Sequence, residues 1–332
     1  MPLLRLSRLD ASLRATVISR TPLRYREGAD ARLDRPPHVR AASSLTWIGD
    51  RVALVQDDAN FLALIDPVSG VVESVTLPVG RGGVRVFDDA RGNKRDKFDF
   101  EACCTLRDAD GPVVLAFGSG SLPARRRVLV VDRWGATEPR VTVVDATALY
   151  LCLEAERDFS GSEMNIEGAL ALDDVVRLYA RGNGAARDGR VPVDATADLD
   201  VRALLAWLRD SRATPPPPFG IVQFDLGEIG DVRLGFTDAT RRGAATLFSA
   251  AAETSADAVG DGEVAGSVVG VIPADGHLRH ALLCDRDGQR LTDKVEGIVA
   301  VPAQRDMVYA VIDPDDHRRP SEFCEVRLEG NW

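Results

Sequence analysis

Asn165-Ile166-Glu167-Gly168-Ala169-Leu170 is the stretch on which the reading of this chain turns. It returns in altered form as Phe98-Asp99-Phe100-Glu101-Ala102-Cys103 and as Lys294-Val295-Glu296-Gly297-Ile298-Val299. A fainter echo stands at Phe236-Thr237-Asp238-Ala239-Thr240. Each copy places a carboxylate and then a small residue at the head of a hydrophobic, strand-like run. Echoes spaced tens of residues apart indicate a repeat architecture whose equivalent positions converge on one axis.

Outward from these copies, the strands come in sets. The first reads Ser43–Ile48, Arg51–Gln56, Phe61–Ile65 and Val71–Leu77, separated by Gly49-Asp50, Asp57-Asp58-Ala59-Asn60 and Asp66-Pro67-Val68-Ser69-Gly70. Those separators are turn chemistry, and four short strands joined by tight turns make an antiparallel meander, the unit of a propeller blade. Further sets begin at Phe98, Asn165, Val232 and Val295. The last has only three strands, and the lone strand around Val17 in an otherwise irregular arm (residues 1–40) supplies the fourth, closing the ring without an exposed edge. The expected fold is therefore an all-β β-propeller forming a single domain over residues 1–332, with five blades, six being the alternative. One insertion at 184–218 interrupts it, with a helix at 198–210 that has apolar residues at helical spacing and Asp198 as its N-cap.

Bulk properties narrow the function classes. The 332 residues carry a net charge of −10, against the basic surface that nucleic-acid binding needs. No apolar run approaches a membrane span, and arginines break up the apolar residues of the N-terminus. The expectation is a soluble, cytoplasmic protein with no nucleic-acid or membrane partner. Five cysteines without a CxxC pair and four scattered histidines offer no zinc site. Cys103 and Cys104, adjacent in a strand, should face opposite sides of it.

The first strand of each blade lines the channel of a propeller. Aligning the copies puts Ser44, Glu101, Glu167, Asp238 and Glu296 around one axis. Four carboxylates brought together repel unless protonated or neutralised by a cation. Oxygen-only ligands suit a hard ion, so Glu101, Glu167, Asp238 and Glu296 are the expected ligands of Ca²⁺, with Mg²⁺ or Mn²⁺ as alternatives. The bland counterpart is a water-filled polar channel. Second-strand ends should rim the same mouth, which makes Asp57, Arg181 and Asn183, with Ser44, candidates for holding a small-molecule ligand. Of 41 lysines and arginines only three are lysine, Lys94, Lys97 and Lys294, and all lie within seven residues before Glu101 or Glu296. Lysine is a compact point charge suited to acid–base or anion-stabilising roles.

On Asp99-Phe100-Glu101-Ala102, Asn165-Ile166-Glu167-Gly168 and Lys294-Val295-Glu296-Gly297, the chain resembles the phytase-like or esterase-like β-propeller group. It is more loosely similar to regucalcin and gluconolactonase propellers, whose channel glutamate followed by glycine binds a divalent cation. The resemblance implies a propeller with a channel cation. Ala102 in place of glycine and Thr237-Asp238-Ala239 in place of the glutamate motif depart from the pattern.

Two functions follow as expectations. One is a metal-dependent hydrolase of a small ester, lactone or phosphoester. There a channel cation polarises the substrate, Glu253 or Asp313 serves as base, and Lys97 or Lys294 stabilises the developing anion. The other is a non-catalytic binding or scaffold propeller. No GxSxG elbow supports a serine hydrolase.

Overall fold

A computed structural model describes residues 2–254, 262–274 and 276–332. Its strands pair in successive antiparallel meanders. The first is β3 (Ala42–Ile48), β4 (Arg51–Gln56), β5 (Phe61–Ile65) and β6 (Val72–Thr76), and the second is β7 (Phe100–Asp108), β8 (Gly111–Gly118), β9 (Arg127–Asp132) and β10 (Arg140–Asp145). The third is β11 (Ile166–Ala171), β12 (Val175–Ala180), β13 (Asp194–Asp200) and β14 (Phe219–Asp225). After the short β15 (Glu228–Ile229) come β16 (Val232–Arg242), β17 (Ala245–Thr254), β18 (Glu263–Ile272) and β19 (Leu278–Cys284). The last, β20 (Lys294–Ala300), β21 (Met307–Asp313) and β22 (Glu322–Glu329), takes its outer strand from the N-terminus: β2 (Arg14–Pro22) runs antiparallel to β22 from Arg14↔Glu329 to Pro22↔Glu322.

The first strands pack against one another in a closed cycle, β3 on β7, β7 on β11, β11 on β16, β16 on β20, and β20 back on β3. The apolar clusters follow the same cycle. Leu54, Val52 and Leu45 pack with Val299, Tyr309 and Phe323, whereas Val55 and Leu62 pack with Phe100, Val114 and Leu129. Leu115 and Phe117 meet Ile166 and Leu178; Tyr179 meets Phe236 and Phe248; Leu247 and Val269 meet Ile298 and Val308. Each sheet thus buries both faces against its two neighbours, the packing that defines a β-propeller. Cys103 and Cys104 show the alternation directly, one in the cluster shared with the preceding sheet and the other in the cluster shared with the next.

The N-terminal arm holds two strands rather than one. β1 (Leu3–Leu9) pairs in parallel with β14 through Leu3–Leu6 and with β19 through Ser7–Leu9, and so clasps two neighbouring meanders. The expected insertion at 184–218 is also smaller than its limits. β13 occupies Asp194–Asp200, where Ala195, Ala197 and Leu199 alternate into the core. The helix α3 (Val201–Arg209) accordingly starts at Val201, not 198, and its N-cap is Asp200, which accepts from Ala203 N at 2.8 Å. Two further helices, α1 (Thr147–Ala155) and α2 (Arg157–Ser160), join α3 in that cluster through Tyr150, Phe159 and Trp207. Among the described residues no helix is long and apolar enough to cross a membrane.

Candidate functional site

Each first strand carries a β-bulge, and the bulges decide what faces the axis. Pairing skips one residue between Ala42 and Ser44, Phe100 and Ala102, Ile166 and Gly168, Phe236 and Asp238, and Val295 and Gly297. The skipped residues are Ser43, Glu101, Glu167, Thr237 and Glu296. A bulge re-aims the extra side chain out of the ladder, and here it turns three glutamates toward the axis.

This register corrects the expected alignment by one residue in two strands. Ser44 and Asp238 are the counterparts of Ala102, Gly168 and Gly297, the small position where neighbouring first strands touch. A Cβ on Gly168 would lie 3.2 Å from Asp238 Cα, and one on Gly297 would lie 2.8 Å from Ser43 O. Neither Ser44 nor Asp238 lines the cavity described below. Asp238 is fully buried and accepts from Ala239 N (2.8 Å), Ile298 N (3.0 Å) and Ser44 Oγ (3.1 Å), and Ser44 Oγ in turn accepts from Cys103 N (3.0 Å). Their role is to tie four first strands together beneath the cavity. Because a one-residue slip exchanges the two faces of a strand, a residue expected to be a ligand becomes a structural knot.

Above that knot lies a cavity of about 210 Å³. The other ten residues singled out from the sequence all line it: Glu101, Glu167 and Glu296; Lys97 and Lys294; Asp57, Arg181 and Asn183; Glu253 and Asp313. So does Lys94, which brings the chain's three lysines to one cavity. Sequence reasoning passed over Arg40, Arg125, Asp99, Asn165 and His317, which line it too. For Asp99 and Asn165 a signal was present. In Asp99-Phe100-Glu101, Asn165-Ile166-Glu167 and Lys294-Val295-Glu296, a polar residue sits two before the glutamate, with a core residue between. Arg125 comes from the Pro123–Arg125 turn after β8, which no repeat marks.

The charges fall into three groups. Lys97 Nζ lies 2.5 Å from Asp57 Oδ2 and 2.6 Å from Asp99 Oδ1, while Arg125 Nη1 holds Asp99 Oδ2 at 3.0 Å. Ser119 also donates to Asp99. Around the ring, Arg181 Nη2 bonds Glu253 Oε2 at 2.7 Å and Arg181 Nη1 approaches Glu167 Oε1 at 3.5 Å. Lys294 Nζ bridges Glu253 Oε2 (3.3 Å) and Glu296 Oε1 (2.8 Å). Asn165 Nδ2 orients Glu167 Oε1 at 2.6 Å. At the rim, Arg40 bonds Asp58 (2.6 Å) and Asp88 (3.2 Å).

These pairs leave a surplus. Twelve carboxylates face six lysines and arginines among the described lining residues, a formal excess of six negative charges. Burial, then Asp99 and Asp57, push Glu101 well above the usual carboxylate range. Burial and Asp315 do the same to Asp313. Glu296 is raised to about 7 by burial against the pull of Lys294. Burial opposes ionisation of Glu253 as well, but Lys294 and Arg181 override it and hold its carboxyl below the usual range. Asp57, Asp99 and Glu101 offer ligand oxygens within 4.8 Å of one another, and Asp57 Oδ1 has no hydrogen-bond partner. An all-oxygen set of this kind suits a hard divalent ion.

The chain belongs to DUF6929, a family of unknown function whose model matches residues 38–328. No curated protein matches it. Among solved structures it is similar to the PQQ-bound aldose sugar dehydrogenase of Streptomyces coelicolor, with 10% identity over 97% of this chain and 100% of that one and a TM-score of 0.45. It is also similar to an exo-1,5-alpha-L-arabinanase from a bovine ruminal metagenomic library (9% identity, 87% and 92% covered, TM-score 0.43) and to a streptogramin B lyase (10%, 96% and 97%, 0.37). Likenesses this distant do not show the kinship with the phytase-like or esterase-like group that the sequence motifs implied.

Proposed function

We propose that the chain is a five-bladed propeller that holds a divalent cation at the acidic side of its axial cavity and hydrolyses a small ester, lactone or phosphoester there. The observation carrying this reading is the convergence of Asp57, Asp99 and Glu101 to within 4.8 Å on the wall of a cavity whose described lining has a formal negative excess. Ca²⁺ suits the set best, with Mg²⁺ or Mn²⁺ as alternatives. When bound, the ion supplies Lewis-acid polarisation of a substrate oxygen or a more acidic water.

The remaining roles follow from the contacts. Glu253 has both carboxylate oxygens engaged, Oε1 by Gly262 N at 2.9 Å and Oε2 by Arg181 and Lys294. It therefore orients those two cations, and the acid–base role expected of Glu253 or Asp313 falls to Asp313, whose carboxyl is held well above the usual carboxylate range by burial and by Asp315. Lys294 and Arg181 stabilise charge developing on the substrate.

The test is turnover of p-nitrophenyl acetate, a δ-lactone and p-nitrophenyl phosphate by the chelator-treated full chain, with and without added CaCl₂, MgCl₂ or MnCl₂. Ion-dependent hydrolysis that falls by about 10²-fold or more in Asp313→Asn supports the reading. No turnover of any of the three with any ion would count against the chemistry. The alternative reading, a binding propeller without catalysis, draws on the ion pairs that already engage Lys97, Lys294, Arg125 and Arg181. An ion that binds without any turnover would favour it.

A further inference from the structure

The cation site of the proposed function already has a cation in it, supplied by the chain. Lys97 Nζ sits 2.5 Å from Asp57 and 2.6 Å from Asp99, two of the three carboxylates that converge within 4.8 Å, and the residue is only 5% exposed. We propose that Lys97 is a tethered counter-ion that a divalent ion must displace, so that ion binding releases its ammonium toward the cavity mouth. The inference rests on the reading of this cavity as a divalent-cation site.

Three features support displacement over coexistence. An ammonium and a divalent ion sharing two carboxylates repel strongly in a poorly screened cavity. Asp99 does not depend on Lys97 alone, because Arg125 Nη1 and Ser119 also bond its Oδ2 and keep it in place after the lysine leaves. Lys97 itself lies outside the ladder, between the Lys94–Asp96 turn and β7, so its movement breaks no strand pairing. Lys294 contrasts with it. That lysine belongs to β20 and bridges Glu253 and Glu296, neither of which is in the converging set.

Only three lysines occur in the sequence, so reductive methylation with formaldehyde and a borohydride, read by peptide mass, reports on each separately. The experiment compares chelator-treated full chain with and without CaCl₂, alongside the unfolding midpoint. The expected result is a higher midpoint with Ca²⁺, a severalfold faster modification of Lys97, and an unchanged rate at Lys294. A second measurement is Ca²⁺ affinity of Lys97→Met by calorimetry, expected to be tighter by about tenfold or more because the internal competitor is gone. If that variant fails to fold, the labelling experiment decides alone. A raised midpoint with Lys97 modified no faster, or a folded Lys97→Met that binds no tighter, overturns the inference while leaving the cation site intact. A midpoint that no ion raises ends the site reading and this inference with it.

Discussion

At the scale of the residue, position relative to one bulge separates structure from chemistry. Asp238 and Glu296 both come from the repeated motif, yet Asp238 is spent on two backbone amides and a hydroxyl, whereas Glu296 reaches the cavity. Asp238→Asn turns one acceptor into a donor facing an amide, so urea unfolding should show a loss of about 2–3 kcal/mol. Its Ca²⁺ affinity should match the wild type, because the side chain does not line the cavity. Weaker binding at unchanged stability would restore it as a ligand. The raised carboxyls make a second prediction. Glu101, Asp313 and Glu296 keep protons in the folded chain at pH values where the unfolded chain has lost them. The unfolded state therefore binds fewer protons, and stability falls as pH rises from about 5 through 7. Asp99 and Glu253, held low by their cations, act oppositely, and their contribution disappears only as pH falls below the ordinary carboxylate range. In chelator, the unfolding midpoint should be higher at pH 5.5 than at pH 8 by the equivalent of roughly 2 kcal/mol. The difference should shrink in Glu296→Gln. A midpoint that rises over this interval would contradict the assignment.

At the scale of the element, the first strands must approach closely enough for the axis to close, and the small residues after four of the five bulges, Ser44, Ala102, Gly168 and Gly297, permit it. In Gly297→Ala the new methyl would meet Ser43 O at 2.8 Å and Ser44 Cα at 3.1 Å, both of them backbone atoms of β3. Those strands must separate, at a cost of about 1–3 kcal/mol measured by denaturant. The sequence showed the strands because turn residues punctuate them, and it showed Glu101, Glu167 and Glu296 because each heads an apolar run. It did not show the bulge. Matching carboxylate to carboxylate placed Asp238 with the glutamates. Matching the buried residues instead, Ala42, Phe100, Ile166, Phe236 and Val295, would have brought Ser43 and Thr237 into line. β13 was missed because Asp198 reads as a helix cap even though the alternation of Ala195, Ala197 and Leu199 is that of a strand. Arg125 and Arg40 reach the cavity from connecting segments, where no periodicity announces them.

At the scale of the molecule, the ring is closed by β2, which fills the outer edge of the last meander and hydrogen-bonds along β22. β1 adds a clasp between β14 and β19. Removing residues 1–22 takes away both and exposes Val326 and Leu328 of β22, which pack with Ala15 and Val17. Such a chain should lose its single cooperative unfolding transition and aggregate through the open edge, as read by calorimetry and light scattering. An intact transition would show that closure is dispensable. The closed ring is also what gathers twelve carboxylates and six cations into one cavity, the excess that the proposed divalent ion would neutralise. Isothermal titration of CaCl₂ into chelator-treated full chain tests for that ion directly, with Glu101→Gln as its partner. The expected result is one saturable site per chain that is lost in a folded Glu101→Gln. No saturable binding of Ca²⁺, Mg²⁺ or Mn²⁺, or binding indifferent to that substitution, would contradict it.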